Sequence, residues 1–286
     1  MVQLAAATAV IACSGAMVKA VTLAKRFASL PRPILLVGET GTGKSVLARF
    51  IHSQSGRAGS LVVAAGSEVA EPSVEALDGL HKALERARTG TLFLDQLPLW
   101  PRAAQTAILR AVEEESQACR FIVASDRSLN ELVDEGRLIA AFRWWIGHFV
   151  IDVPPLRERF ADIAALSYHF LDSARHEFSE PGPAFIDPKA LNRLLTYHWP
   201  GNVRELRGVV EWSWLRLAAE RGERIGVADL PPYVLADGSR GRLNLAGRRD
   251  LSVWAFERAG HDRKRAAELL GVHPNTIDNH RRVAAR

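Results

Sequence analysis

The chain has 286 residues, 48% of them hydrophobic, and a formal net charge of +5. This length and composition predict a soluble globular protein with a sizeable core and two or three domains. No apolar run approaches the roughly 20 residues of a membrane span, and residues 4–12 lack the basic leading region and cleavage pattern of a signal peptide. Cys13 and Cys119 are far apart and without metal-ligand spacing, which favours a reducing cytoplasm.

Regular elements alternate along the first half of the chain. Apolar runs predict strands at residues 34–37, 61–64, 90–95, 120–124 and 149–153. Helical periodicity precedes or separates them at residues 16–29, 45–51 and 75–88. This alternation predicts an α/β domain over residues 1–155, with a parallel sheet covered by helices and a ligand at the carboxyl ends of the strands.

A phosphate-binding loop follows the first strand. The pattern G-x-x-x-x-G-K-[ST] is filled by Gly38, Glu39, Thr40, Gly41, Thr42, Gly43, Lys44 and Ser45. Glycines allow the turns that point backbone N–H groups at phosphate oxygens, Lys44 is expected to reach the β- and γ-phosphates, and Ser45 is expected to ligate Mg²⁺. A chance glycine-rich turn is the alternative, and the flanking strand and helix argue against it.

Asp95 ends the strand predicted at residues 90–95. An aspartate at the tip of a buried parallel strand can bind the water shell of a Mg²⁺ ion held by a phosphate loop. The sequence therefore predicts that Ser45 and Asp95 share a magnesium site. An apolar strand that merely ends in aspartate is the alternative.

The second half of the chain reads as helical. Residues 156–235 predict a helical lid, in which Arg157 or Arg204 is a candidate for phosphate contact. Residues 236–247 have a linker's composition, and residues 248–286 predict an all-α helix-turn-helix domain.

The C-terminal segment is basic. From Arg240 onward there are 11 Lys and Arg against 5 Asp and Glu, a net of +6 that leaves −1 for the rest of the chain. Such a surplus attracts a polyanion such as double-stranded DNA, although a solvated basic face has the same composition. In the second helix of the motif, base-edge contacts are predicted for Asn275, Thr276, Asn279 and His280, and phosphate contacts for Arg281, Arg282 and Arg286. A plain helical hairpin is the alternative.

These segments together resemble the bacterial enhancer-binding proteins, the AAA+ activators of sigma-54 RNA polymerase. The resemblance rests on GETGTGK at 38–44, GTLFLD at 90–95, PPLRER at 154–159, WPGNVREL at 199–206 and a Fis-type helix-turn-helix at 263–279. It implies an AAA+ P-loop fold with a lid, ATP and Mg²⁺ as ligands, and Arg204 as the sensor arginine that contacts the γ-phosphate.

Several positions depart from the family's pattern. The GAFTGA loop that contacts sigma-54 is missing between Leu61 and Gly90, and Gln96 stands where the family has its catalytic glutamate. Ala65 stands where the family has the asparagine that restrains this glutamate, and Asp126 stands where the family has the asparagine of its first sensor motif. The two arginine fingers fall at Ile139 and Trp145, with Arg143 nearby as a possible substitute. Gln96 and Asp126 are thus degenerate catalytic positions, although a glutamine can still orient a water.

The sequence therefore predicts a cytoplasmic, DNA-binding transcriptional regulator whose module binds ATP and hydrolyses it weakly or not at all. It is expected to act independently of sigma-54 or in a mixed assembly, with RNA polymerase or a related AAA+ regulator as partner, and to form a homo-oligomer. We expect no sensory domain ahead of the module. An active ATPase that remodels another complex and a DNA-binding dimer with a vestigial nucleotide site are the alternatives.

Overall fold

The computed structural model describes residues 10–68, 74–114, 119–178, 181–220, 222–236 and 245–282. Residue contacts divide the chain into two compact units. The sheet unit contains Lys19–Val153, and the helical unit contains Ile11–Val18 together with the chain from Pro154 onward. Within the described residues, none of the helices has the length and hydropathy needed to cross a membrane.

The sheet unit is built on five parallel strands in the order β2-β3-β4-β1-β5. The strands are β1 (Ile34–Val37), β2 (Leu61–Ala65), β3 (Thr91–Asp95), β4 (Arg120–Ser125) and β5 (Val150–Asp152). The helices assigned along this part of the chain are α1 (Gly15–Ala28), α2 (Lys44–Gln54), α3 (Val74–Arg86), α4 (Arg102–Glu114), α5 (Leu129–Asp134) and α6 (Ala140–Ile146).

The central strands of this sheet are apolar along their whole length. Every residue of β4 is buried, as are the first four residues of β3 and the first three of β1. Strands covered on both faces bury successive side chains instead of alternate ones, which explains the continuous apolar runs. The predicted α/β class and parallel sheet are confirmed, and the carboxyl ends of β1, β3 and β4 meet at one edge.

The helical unit has a core of its own. Its helices are α7 (Phe160–Glu177), α8 (Pro188–Thr196), α9 (Asn202–Ala219), α10 (Pro232–Ala236), α11 (Leu245–Arg258), α12 (Arg263–Leu270) and α13 (Pro274–Arg282). A two-stranded parallel ribbon joins β6 (Phe185–Ile186) to β7 (Arg224–Ile225). The fully buried Trp199 and Trp214 lie in a core that also contains Leu171 and Ala255.

Of the three C-terminal helices, α11 packs on α7 and α12 packs on α8, while α13 packs on α11 and α12. Trp254 of α11 lies 5.7 Å from the ring of Tyr168 in α7, measured between centroids. The Arg258 guanidinium sits 4.3 Å above the same Tyr168 ring and 3.5 Å from the Asp172 carboxylate. Residues 237–244, which include most of the predicted linker, lie outside the described residues.

Candidate functional site

The phosphate loop connects β1 to α2 at the carboxyl edge of the sheet. Gly41 and Gly43 have φ angles of 80° and 102°, in the region that side chains with a Cβ avoid. Gly38 is required for a different reason, since a Cβ there would stand 2.5 Å from the backbone oxygen of Val153. The glycines of the motif therefore have separate structural roles, and α2 begins at Lys44 with its N–H groups facing the loop.

Lys44 lies folded into the loop. Its Nζ donates hydrogen bonds to the carbonyl oxygens of Gly38, at 2.6 Å, and Glu39, at 3.0 Å. The Thr42 hydroxyl donates to the same Glu39 oxygen at 2.8 Å. These bonds hold the Lys44 ammonium group against the backbone of the loop that is expected to bind phosphate.

The structure brings Ser45 and Asp95 together. The Ser45 hydroxyl donates to Asp95 Oδ2 at 3.4 Å, and both residues are partly buried. Mg²⁺ takes oxygen ligands in an octahedron at 2.0–2.1 Å, so adjacent ligands lie about 3 Å apart. The oxygens present fit that ion, with waters and phosphate oxygens completing its shell.

Gln96 occupies a tight turn at the tip of β3. Its φ angle of 58° is left-handed, its N–H donates to Asp95 Oδ1 at 2.9 Å, and its side-chain Oε1 accepts from the Ser67 N–H at 3.3 Å. Ala65 pairs with Asp95 in the neighbouring strand and carries no polar group. The Ser67 N–H therefore holds the Gln96 side chain. The resemblance predicts that an asparagine at position 65 would restrain the residue at position 96 in other members of the family.

Asp126 follows β4 and is exposed. Its Oδ2 accepts a hydrogen bond of 3.2 Å from the hydroxyl of Thr40 in the phosphate loop. A carboxylate is thus placed beside the loop that would receive the phosphates, where it repels their charge. The sequence carries no signal for this Thr40 contact, because the two residues are 86 positions apart.

Comparison with known protein families gives matches to both halves of the chain. The family model of the sigma-54 interaction domain matches residues 11–156, and that of the AAA+ ATPase lid domain matches residues 157–245. The chain belongs to the bacterial enhancer-binding protein family.

Its relatives in that family are longer proteins. The chain is 31% identical to the alginate biosynthesis transcriptional regulatory protein AlgB of Pseudomonas putida, over 92% of the chain and 64% of AlgB. It is 32% identical to the transcriptional regulatory protein XylR of Pseudomonas putida, over 84% of the chain and 50% of XylR. The chain thus spans between half and two thirds of these relatives.

Among solved structures, NtrX from Brucella abortus in complex with ATP matches with a TM-score of 0.67 and 25% identity, over 97% of this chain and 69% of NtrX. The RuvB branch migration motor of Thermotoga maritima matches with a TM-score of 0.54 and 18% identity, over 92% of this chain and 83% of RuvB. The RuvB likeness shows the fold alone. The predicted AAA+ P-loop fold is confirmed.

Ile139 and Trp145, at which the resemblance predicts the loss of two arginine fingers, lie in the sheet unit. Ile139 precedes α6, and the Trp145 ring packs edge-on against Phe121 at 5.0 Å and Phe142 at 5.1 Å. Arg143 donates to Asn130 Oδ1 at 2.8 Å and lies 5.1 Å from the exposed Trp144 ring. Its guanidinium is therefore already held within its own chain.

Arg204, which the resemblance predicts to be the sensor arginine of the lid, lies in the first turn of α9 with an exposed side chain. Its contact with a γ-phosphate stays a prediction. Arg157, the other candidate, is also exposed, in the short 3-10 turn over Leu156–Glu158.

Two short helices, α12 and α13, are joined by a tight turn near the C-terminal end of the described residues. Asp262 caps α12 by accepting from the Lys264 and Arg265 N–H groups, and Gly271 ends it with a φ angle of 62°. His273 then accepts from the Asn275 N–H through Nδ1, at 3.3 Å, just before α13. The left-handed Gly271 and the bond between His273 and the Asn275 N–H therefore shape the turn between α12 and α13, while Asp262 caps the opposite end of α12.

The predicted DNA-contacting residues of α13 divide into two groups. Asn275 and Asn279 are exposed and four positions apart, so they lie on one face of the helix. His280 Nδ1 lies 3.0 Å from the Ser252 hydroxyl, and the Arg281 guanidinium is 3.7 Å from the Phe256 ring centroid. Burial, and to a lesser extent the nearby Arg248, lowers the pKa of His280.

His280 and Arg281 therefore help to pack α13 against α11. Thr276 is half-buried, Arg282 ends α13, and Arg286 lies outside the described residues. The predicted roles of all these residues toward DNA stay predictions.

Proposed function

We propose that this protein is a DNA-binding transcriptional regulator whose AAA+ module binds ATP with Mg²⁺ and hydrolyses it slowly. It acts without remodelling the sigma-54 polymerase, or as the degenerate subunit of a mixed assembly with a related AAA+ regulator. The observation that carries the proposal is a complete phosphate loop with a paired Ser45 and Asp95, next to a glutamine in place of the expected glutamate.

Nucleotide binding is supported by the geometry of the loop. Lys44, the N-terminus of α2 and the Ser45–Asp95 pair supply a cation, backbone donors and oxygen ligands for Mg²⁺. The ATP complex of NtrX supports the same assignment. Arg204 is the lid residue proposed to reach the γ-phosphate.

Slow hydrolysis is supported by two substitutions at once. Gln96 cannot take a proton from the attacking water, and general-base catalysis is ordinarily a factor of roughly 10²–10⁴ in rate. Trp145 packs on Phe121 and Phe142, and a missing finger costs on the order of 10³–10⁵. The bound nucleotide then acts mainly as a structural or assembly ligand.

DNA binding is supported by the helix-turn-helix geometry and the basic C-terminal segment. We assign base reading to Asn275, Thr276 and Asn279, with His280 next to them, and phosphate contact to Arg281 and Arg282. The contact of His280 with Ser252 makes it a residue that orients α13 as well as one that faces the groove. We place the protein in the cytoplasm as a homo-oligomer of at least two copies. Two copies present two recognition helices, which match the two half-sites of a palindromic DNA site.

Two measurements test the proposal. ATP affinity is determined by calorimetric titration, and phosphate release is followed with and without DNA. We expect binding accompanied by turnover far below 1 s⁻¹, the low end of ordinary enzyme rates. Turnover near that value would show a working ATPase, in which Gln96, held by the Ser67 N–H, orients the attacking water.

The DNA reader is tested separately by substitution. Asn279→Ala is expected to weaken binding to a selected cognate site by about 1–3 kcal/mol while leaving non-specific binding nearly unchanged. Arg282→Ala is expected to weaken both and to reduce the salt dependence. Equal losses on all DNA from both variants would contradict the assignment of base reading to Asn279.

A further inference from the structure

The tip of β4 lies between the tips of the two strands that carry the residues proposed to bind nucleotide. In the sheet, β4 pairs with β1 on one side and with β3 on the other. The phosphate loop follows β1, where the Gly38 N–H donates to the Ser125 carbonyl oxygen at the end of β4, at 3.1 Å. Asp95 ends β3. Asp126, the first residue after β4, is therefore placed between the loop and Asp95.

The same strand order indicates which phosphate of a bound nucleotide comes nearest to Asp126. Lys44 and the first N–H groups of α2 are on the side of β1, and the Ser45–Asp95 pair that suits Mg²⁺ reaches toward β3. Because Mg²⁺ in such sites bridges the β- and γ-phosphates, the γ-phosphate extends from the loop toward the tip of β3. The tip of β4 lies between the two, so we expect the γ-phosphate to be the group closest to Asp126.

Asp126 brings a negative charge to this position without an ion pair to balance it. Its Oδ2 accepts the 3.2 Å hydrogen bond from the hydroxyl of Thr40 in the phosphate loop. The next residue, Arg127, is directed to Glu135, whose carboxylate oxygens lie 2.5 and 2.8 Å from its terminal nitrogens. In the described part of the chain, none of the ion pairs includes Asp126. The carboxylate is therefore held at the loop by a neutral hydroxyl group.

The charge of Asp126 acts differently on ADP and on ATP. A terminal phosphate carries about two negative charges at neutral pH. In ADP that group is the β-phosphate, which Lys44 and the N-terminus of α2 are expected to hold, whereas in ATP it is the γ-phosphate beside Asp126. Like charges within a few ångströms repel each other, and water screens this repulsion only in part. Asp126 is therefore expected to weaken the binding of ATP more than the binding of ADP.

We propose that Asp126 sets the nucleotide preference of this site, which holds ADP more tightly than ATP. The inference rests on the proposed binding of nucleotide and specifies which nucleotide the site retains. Tightly held ADP suits a module in which the nucleotide has a structural or assembly role, because the occupied state then persists after a turnover. Asp126 acts as a specificity determinant and takes no part in breaking the phosphate bond.

The test compares the two nucleotides on the full chain. Calorimetric titrations with ADP and with ATP, each with excess Mg²⁺, give the ratio of the two affinities. We expect ADP to bind at least tenfold more tightly than ATP. Equal affinities, or tighter binding of ATP, would overturn this inference and leave the proposed function intact. Binding of neither nucleotide at millimolar concentration would overturn the proposed function as well, so the two failures are distinguishable.

Substitutions show whether Asp126 causes the preference. Asp126→Asn removes the charge and keeps the size, and we expect it to tighten ATP binding at least tenfold while ADP affinity stays within threefold of the parent. Asp126→Glu keeps the charge and is expected to keep the preference for ADP. Glu113→Gln, at an exposed position in the last turn of α4, is the matched control and leaves both affinities unchanged. An equal gain for both nucleotides in Asp126→Asn, or loss of the preference in Asp126→Glu, would refute the assignment.

The dependence on salt separates charge repulsion from a change of shape at the site. The screening length is about 10 Å at 0.1 M salt and about 3 Å at 1 M. Because Asp126 is exposed, the gain in ATP affinity from Asp126→Asn is expected to be several-fold smaller at the higher salt concentration. The same gain at both concentrations would show that the preference has a cause other than the charge of Asp126.

Discussion

Replacement of Lys44 by alanine is expected to weaken ATP binding about 30- to 100-fold. Two unit charges 4 Å apart interact by about 1 kcal/mol in water and about 4 kcal/mol near a protein surface. Because Lys44 is partly buried, we take a value of about 2–3 kcal/mol, and each 1.4 kcal/mol is a factor of ten in affinity. Its two bonds to loop carbonyls keep the ammonium in place before the nucleotide arrives.

The measurement is a calorimetric titration with ATP and Mg²⁺, supported by the shift of the unfolding midpoint that a bound ligand produces. Arg49→Ala is the matched control, since it removes one positive charge from an exposed position on the same helix. An affinity of Lys44→Ala within threefold of the parent would refute the reasoning. So would an equal loss in Arg49→Ala, which would make net charge the cause.

Further substitutions test the other parts of the sheet unit. Gln96→Glu is expected to raise phosphate release by up to about 100-fold and still leave it below 1 s⁻¹, and an unchanged rate would show that this position does not limit turnover. Trp145→Ala is expected to lower the free energy of unfolding by about 2–3 kcal/mol, against less than about 1 kcal/mol for the exposed Trp144→Ala; equal urea midpoints would contradict this. Burial lowers the pKa of His52 in the folded state, so the unfolded state binds more protons below about pH 6.5 and the free energy of unfolding falls as the pH drops. Urea titrations at pH 5 and pH 7.5 should show a smaller drop in His52→Gln than in His198→Gln.

Much of the sheet unit was predictable because its signals are local. The apolar runs of β1 and β3 extend over consecutive buried positions, and the glycines of the loop mark turns that other residues enter only with strain. The pairing of Ser45 with Asp95 followed from the parallel sheet, which places the ends of β1 and β3 at one edge. The ends of the predicted elements lie within three residues of the observed ones, and those of β1 coincide with them. Helix and strand ends carry weaker signals than their interiors.

The contacts between distant side chains were not predictable in the same way. Thr40 bonds to Asp126, Ser67 holds Gln96, and His280 turns toward Ser252, although nothing near any of these residues in sequence indicates its partner. The orientation of a polar side chain depends on which acceptor or donor the folded chain brings within about 3 Å.

Residue types and their spacing were sufficient to establish the phosphate loop, the parallel sheet and the family, because each depends on backbone conformation and burial along a short segment. The sequence also shows Gln96, Ile139 and Trp145 at the positions where the resemblance predicts a glutamate and two arginines. Only the tertiary structure decided that Trp145 is packed on Phe121, that Arg143 is held by Asn130, and that Arg120 is buried against the Phe27 carbonyl at the end of α1. These depend on packing between elements far apart in the chain, where the compensation of charge and volume is settled only when the whole unit has folded.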